Sequence, residues 1–254
     1  MGNVRFVGVP LSAVLDGWDI RVDPQATFVT AGSRATGTGR APDGFEHRLP
    51  VADVVDRPVL ALRLNGEPLP GVHGWPGAAC DPGYFGMMQV KWLDRLRVET
   101  AEATSFCYAT KYRVPLSPVQ PGEAFGFTLE NSRPPWLLQL TSFIVDPVAD
   151  STMTAGPVTV GGFAFNDGAP RLESVEVSVD RGGLWRSATL DVPTVPHAWV
   201  PWSIEADLGS GAHEIWSRAT DRLGRTKPLD GRDHWNPNGY ERNGVAKVEV
   251  AVLA

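Results

Sequence analysis

A chain of 254 residues with 43% hydrophobic and 20% charged residues has an ordinary globular balance, and room for one large domain or two smaller ones. Its net charge of −6 argues against a sequence-independent grip on nucleic acid. Two cysteines, Cys80 and Cys107, and five scattered histidines exclude a disulfide scaffold, a four-ligand structural zinc site and a C-x-x-C motif.

The first residues, MGNVRFVGVP, lack the charged and then apolar regions of a signal peptide, and no later run reaches the length of a membrane span. The chain as written therefore reads as soluble and cytoplasmic, with no membrane partner and no address that would fix its compartment. Next, PLSAVLDGW predicts a short helix: Pro10 suits its first turn, Leu11, Val14 and Leu15 fall on one face, and Gly17 stops it. TGTGRAPDG (36–44) lacks a full G-x-G-x-x-G and reads as a loop, not a nucleotide cradle. PVADVVD (50–56) has the look of a second short helix. PVLALRLNGEPL alternates through Val59, Ala61 and Arg63 and turns at Asn65-Gly66, a strong hairpin signal.

GMMQVKWLDRL (86–96) sets Lys91 between Val90 and Trp92 in a stretch otherwise fit for a core. An ammonium is rarely buried unless paired, so Lys91 either snorkels along its stem to the surface or meets an anion. The Pro134-Pro135 pair cannot continue a helix and marks a boundary, after which LLQLTSFIV reads as an apolar strand. Beyond it Val175, Val177 and Val179 alternate, DRGG turns, and Trp185 resumes the pattern. Ile215, Ser217 and Ala219 alternate before a turn ending at Gly224, and VAKVEVAVL closes the chain. Short strands between Gly- and Asp-rich turns predict an antiparallel sandwich of immunoglobulin-like size, with both cysteines outside it. Trp92, Trp185, Trp199, Trp202 and Trp216 read as core and interface aromatics. No P-loop or G-x-S-x-G occurs, so NTPase and serine-hydrolase readings have no support.

Three segments, in order, resemble the sulfite oxidase family of molybdopterin enzymes: LNGEPLPGVHGWP (64–76), GMMQVKWLDRL, and the tail carrying VEVSVDRGGLW, RATDRLGRTKPLDG and WNPNGYERNGV. The resemblance implies an α+β partial molybdopterin-binding domain over 1–135, the C-terminal part of that domain. An all-β immunoglobulin-like dimerisation sandwich follows over 136–254. It implies a molybdenum-molybdopterin cofactor whose anionic phosphate meets Lys91, with Gln89 and His73 also lining the pterin pocket. Tyr112, in TKYRV, falls where the family keeps a tyrosine that donates at the metal-oxo face, and is the expected catalytic residue.

The resemblance places the molybdenum-ligating cysteine upstream of Met1, so no metal ligand is assigned within the chain. Cys80 and Cys107 read as core cysteines rather than substitutes. Met88 and Asn238 stand where many relatives carry arginine; Arg113, beside Tyr112, is the expected substitute charge for a substrate, and Arg242 a second source. The expected function is oxygen-atom transfer on a small oxyanion such as sulfite. The chain alone is expected to be inactive, to form a homodimer through the sandwich, and to take an upstream half-domain chain as a further partner. A non-catalytic dimerising protein and one half of a split enzyme are the rival readings.

Overall fold

The computed structural model describes residues 2–17, 19, 21–34, 44–54, 59–101, 105–168, 171–195, 197–231 and 235–254. The loop expected at 36–44 lies, except for Gly44, outside the described residues, as does the end of the expected helix at 50–56. The chain divides into one unit of Met1–Leu137 with Asn236–Tyr240 and a second of Leu138–Trp235 with Glu241–Ala254.

The first unit begins with β1 (Phe6–Pro10), directly followed by α1 (Leu11–Gly17). Pro10 thus ends the strand and hands over to the helix, whose Leu11 is buried. Then come β2 (Phe28–Ser33), β3 (Phe45–Pro50), α2 (Val51–Val54), β4 (Val59–Leu64), β5 (Glu67–Pro68), β6 (Ala78–Cys80), β7 (Arg95–Glu99), β8 (Val114–Pro115) and β9 (Ser132–Arg133). The hairpin turn between β4 and β5 has positive φ at both Asn65 (51°) and Gly66 (92°), the conformation that its Asn-Gly pair favours. One sheet runs β1-β4-β5 with β6 also on β4; a second runs β3-β2-β7; β8 and β9 form a separate pair.

On β3 the period-2 rule sorts the side chains. Phe45, His47 and Leu49 share the inward face. Glu46 and Arg48 share the other face, where Glu46 pairs with Arg95 and Arg97 and Arg48 pairs with Glu99. Two apolar clusters lie under the inward face: Leu11, Val29, Leu49, Tyr84 and Met88 in one, Ala31, Ala79 and Val90 with Phe45 and Leu93 in the other.

The second unit contains β10 (Thr141–Asp146), β11 (Ser151–Thr154), β12 (Gly156–Phe165), β13 (Leu172–Ser178), β14 (Arg186–Ser187), β15 (Thr189–Leu190), β16 (Val200–Leu208), β17 (Gly211–Asp221) and β18 (Ala246–Leu253). They form sheets of order β10-β12-β16-β15 and β11-β18-β17-β13-β14, antiparallel except where β11 runs parallel to β18. Val160, Ala164, Trp202, Ala206 and Leu208 from one sheet and Val175, Val177, Ile215, Ala219, Val248, Val250 and Val252 from the other make a single apolar core. The alternation seen in the sequence is thus the inward face of a β-sandwich. Each such fully buried aliphatic side chain contributes about 1.5–3 kcal/mol from area removed from water.

The described residues are mostly strand, with two short helices and a few single turns, so the helical share is smaller than an α+β expectation suggests. Among the described residues no helix is long and apolar enough to cross a membrane.

Candidate functional site

The GVHG segment forms a single 3-10 turn, Gly71–His73, closed by Gly74 at φ 108°, whose N–H donates to the Gly71 carbonyl. A Cβ at Gly74 would lie 2.9 Å from Lys91 Cα and 3.0 Å from Trp92 N. Glycine is therefore required twice here, for the left-handed φ and for the approach of the VKW backbone. Val90, fully buried, holds that backbone to β6 by exchanging both hydrogen bonds with Ala79, at 2.9 and 3.0 Å.

Lys91 follows Val90 and points the opposite way, to the surface, where its Nζ donates to the Val72 carbonyl at 2.9 Å. The ammonium has snorkelled out of the core stretch and docked on the turn that carries His73. Lys91 is thereby tied to the turn that contains His73, and both residues are exposed. An ammonium with one donor engaged keeps others for an incoming acceptor. With the exposed His73 imidazole beside the same turn, this donor set suits an oxyanion such as a phosphate.

Gln89, half-buried, lies two residues before Lys91. Its Oε1 accepts from the Asp81 N–H at 2.6 Å and its Nε2 donates to the Asp81 carbonyl at 3.1 Å, so its amide clamps the loop after β6. Asp81 in turn faces His47 across 3.8 Å, and both are buried. Burial pushes the Asp81 carboxyl up to about 7 and the His47 imidazole down to about 3. Cys80 is buried, and desolvation with the neighbouring Asp81 charge pushes its thiol up to about 12. Burial also raises the half-buried Cys107, against the opposing effect of Lys111. Neither is a thiolate near neutral pH, which is the form a metal needs. Among the described residues no group of three or more His, Cys, Asp or Glu converges on one point.

Tyr112 ends a π-helical turn, Cys107–Lys111. Its ring meets Phe45 edge-on at 6.1 Å and Tyr240 at 6.0 Å, and Lys111 Nζ lies 5.4 Å from its centre. Phe45 also packs on the cluster containing Val90, so one aromatic side chain links the Tyr112 region to the residue that precedes Lys91. The WNPNG stretch closes on the same backbone: Asn236 Nδ2 donates to the Arg113 carbonyl at 3.1 Å and Asn238 Nδ2 to the Lys111 carbonyl at 3.0 Å. Asn238, a departure from the family pattern, thus supports the tyrosine's turn.

Arg113 differs from expectation. It is fully buried, and its guanidinium donates to Ser132 Oγ at 2.7 Å, to the carbonyls of Tyr108 at 3.1 Å and Leu129 at 3.4 Å, and to the Ser132 carbonyl. With its fork spent on the chain's own backbone it ties two loops together and offers no surface charge to a substrate. Arg242 is exposed, and Met88 fills the apolar cluster beside Tyr84. Sequence reasoning missed His47, Asp81, Asn236 and Tyr240. His47 and Asp81 carry no motif; Asn236 and Tyr240 lie within WNPNGY, a segment of the family-like tail whose order does not show its contacts.

Both parts of the chain match known domain families. Residues 1–107 match the oxidoreductase molybdopterin binding domain and residues 133–253 the Mo-co oxidoreductase dimerisation domain. The whole chain aligns with mouse mitochondrial sulfite oxidase at 30% identity, covering 47% of that protein. Barley NADH nitrate reductase is 32% identical over 76% of the chain and 23% of its own length. In structure, the sulfane dehydrogenase SoxCD of Paracoccus pantotrophus superposes with a TM-score of 0.77 at 26% identity, over 97% of this chain and 60% of that one. The chain thus spans about half the length of the sulfite oxidase it matches. With two successive family domains and a fold in common with its relatives, it belongs to the sulfite oxidase family of molybdopterin oxidoreductases, whose cofactor is molybdenum-molybdopterin.

Proposed function

We propose that this chain forms the pterin-phosphate end of a molybdenum-molybdopterin site in an enzyme of sulfite oxidase type. The observation that carries this reading is the docking of Lys91 Nζ on the Val72 carbonyl, which ties an exposed cation to the turn that contains the exposed His73. Lys91 supplies charge to the phosphate, His73 a further hydrogen bond, and Gln89 holds the loop behind them. Tyr112 stands as the residue that donates to an oxygen at the reacting face, in a position fixed by Phe45, Tyr240, Asn236 and Asn238. When bound, the cofactor supplies two-electron oxygen-atom chemistry on a small oxyanion such as sulfite.

The residues fit the anionic end of the cofactor and not its metal. Among the described residues neither Cys80 nor Cys107 lies in a group of three or more metal-ligating side chains, so on this reading the metal's thiolate comes from polypeptide outside these 254 residues, and the chain alone is inactive. The first unit is on this reading the C-terminal part of a molybdopterin domain. The second is an immunoglobulin-like sandwich through which two copies join.

Molybdenum and pterin content of the purified chain, by elemental analysis and fluorescence of the oxidised pterin, tests the reading. Pterin is expected to bind when supplied in excess, and Lys91→Met should weaken it roughly 10-fold, the worth of one charge-assisted hydrogen bond. Unchanged affinity in the variant removes Lys91 from the site. No binding by either form would favour the non-catalytic dimerising protein instead.

A further inference from the structure

Behind the Lys91 face lies a pair of ionisable side chains that the proposed chemistry does not use. His47 is 2% exposed and Asp81 is 3% exposed, and the imidazole Nε2 faces a carboxylate oxygen at 3.8 Å. His47 Nε2 and both Asp81 carboxylate oxygens are buried without a hydrogen-bond partner. Three such atoms facing one another are a costly arrangement unless they serve each other. On β3 the imidazole is flanked by Phe45 and Leu49, each in an apolar cluster, so nothing polar on its own strand face relieves it.

Among the described residues, the other titratable groups on the surrounding elements are spent or neutral. Cys80 is a buried thiol, Tyr84 donates to Asp53 at 2.5 Å, and Glu46 and Arg48 point to the opposite face of β3, where they pair with Arg95, Arg97 and Glu99. Ala31, directly opposite His47 on β2, brings no charge.

We propose that His47 and Asp81 share a single proton in the folded chain, and that this neutral pair is the bolt that fixes the Asp81–Gln89 clamp beneath Lys91. A carboxylate and an imidazolium would each have to be desolvated, whereas a neutral carboxyl facing a neutral imidazole carries no net charge into the core. Burial acts in the same direction on both groups, raising Asp81 to about 7 and lowering His47 to about 3.

A proton count makes the idea testable. In the unfolded chain Asp81 deprotonates near 3.8 and His47 near 6.5, so between those values the two hold one proton, on the imidazole. In the folded chain they again hold one, between about 3 and about 7, now on the carboxyl. Folding moves the proton from nitrogen to oxygen without releasing it, so the pair adds little pH dependence across that window. Removing one partner uncovers the other. In Asp81→Asn, a lone His47 with depressed affinity for protons makes stability, relative to the parent, rise from pH 4 to pH 6.5. In His47→Gln, a lone Asp81 with raised affinity makes it fall from pH 4 to pH 7. The double variant should track the parent.

The experiment is thermal unfolding of the full 254-residue chain and the three variants from pH 4 to pH 8, read as the variant-minus-parent shift in Tm. Opposite slopes for the two single variants are expected, and parallel slopes overturn the proposal. Because a variant can fail to fold, the unmodified chain is also read by the 15N shifts of the His47 ring. A neutral imidazole from pH 4.5 upward supports the shared proton, and titration near 6.5 overturns it. Neither reading needs the cofactor, so failure here leaves the proposed function standing.

Discussion

At the scale of single residues, the buried ammonium of Lys227 makes stability depend on pH. In GRTKPLD it reads as a turn lysine, yet it is 5% exposed, with Nζ donating to the Ser142 carbonyl at 2.9 Å. Its burial comes from strands distant in sequence, which no local pattern shows. Desolvation pulls its ammonium down from 10.5 to about 8. The unfolded chain therefore holds more protons between pH 8 and pH 10.5, and the folded state gains stability as pH rises through that interval. At neutral pH the charged form costs about 3 kcal/mol by that shift, offset by about 1 kcal/mol for the hydrogen bond. Lys227→Met should accordingly be more stable than the parent at pH 7, by about 1–2 kcal/mol in urea unfolding. That advantage should fade by pH 10; one that is independent of pH would show that the lysine sits neutral or solvated. Arg113 teaches the complementary lesson. Its place beside Tyr112 suggested substrate contact, but a guanidinium can equally tie loop carbonyls together, and only the fold tells which.

At the scale of elements, period-2 alternation made the sandwich strands legible. Val175 and Val177 on β13, Ile215 and Ala219 on β17, and Val248, Val250 and Val252 on β18 all face the core. The Asn65-Gly66 turn and the short helix after Pro10 were legible for the same reason, since each rests on backbone preferences that act within a few residues. The partnership of the GVHG turn with VKW was legible only through the family resemblance, because it depends on two backbones meeting. Gly74 is where they meet, and two glycines of this one turn provide an internal control. Gly74→Ala forces a side chain into φ 108° and against Lys91 Cα at 2.9 Å. A loss of about 2–3 kcal/mol is expected in urea unfolding from these two effects together. Gly71→Ala, with nothing within 4 Å of its new Cβ, should cost less than about 0.5 kcal/mol. Equal effects at both positions would mean that the turn does not bear on the VKW backbone.

At the scale of the whole molecule, the proposed dimer would bring together two copies of a chain with net charge −6 against their mutual repulsion, and the sandwich would have to supply the surface that overcomes it. A stable two-fold interface removes about 1,600 Å² from water, with an apolar centre and a polar rim. Repulsion between like-charged copies is long-ranged at low ionic strength and is screened to about 8 Å at 0.15 M, while apolar burial is little weakened by salt. A dimer built on the sandwich should therefore tighten as salt is raised from about 0.02 M to 0.15 M. Sedimentation equilibrium of the full chain across that range, at several protein concentrations, measures this. A dimer whose Kd falls with salt supports an apolar two-fold interface. A dimer that loosens with salt would place ion pairs at its centre. A monomer at every concentration and salt would remove the dimer, and the dimerisation domain matched over 133–253 would then serve this chain in some other way.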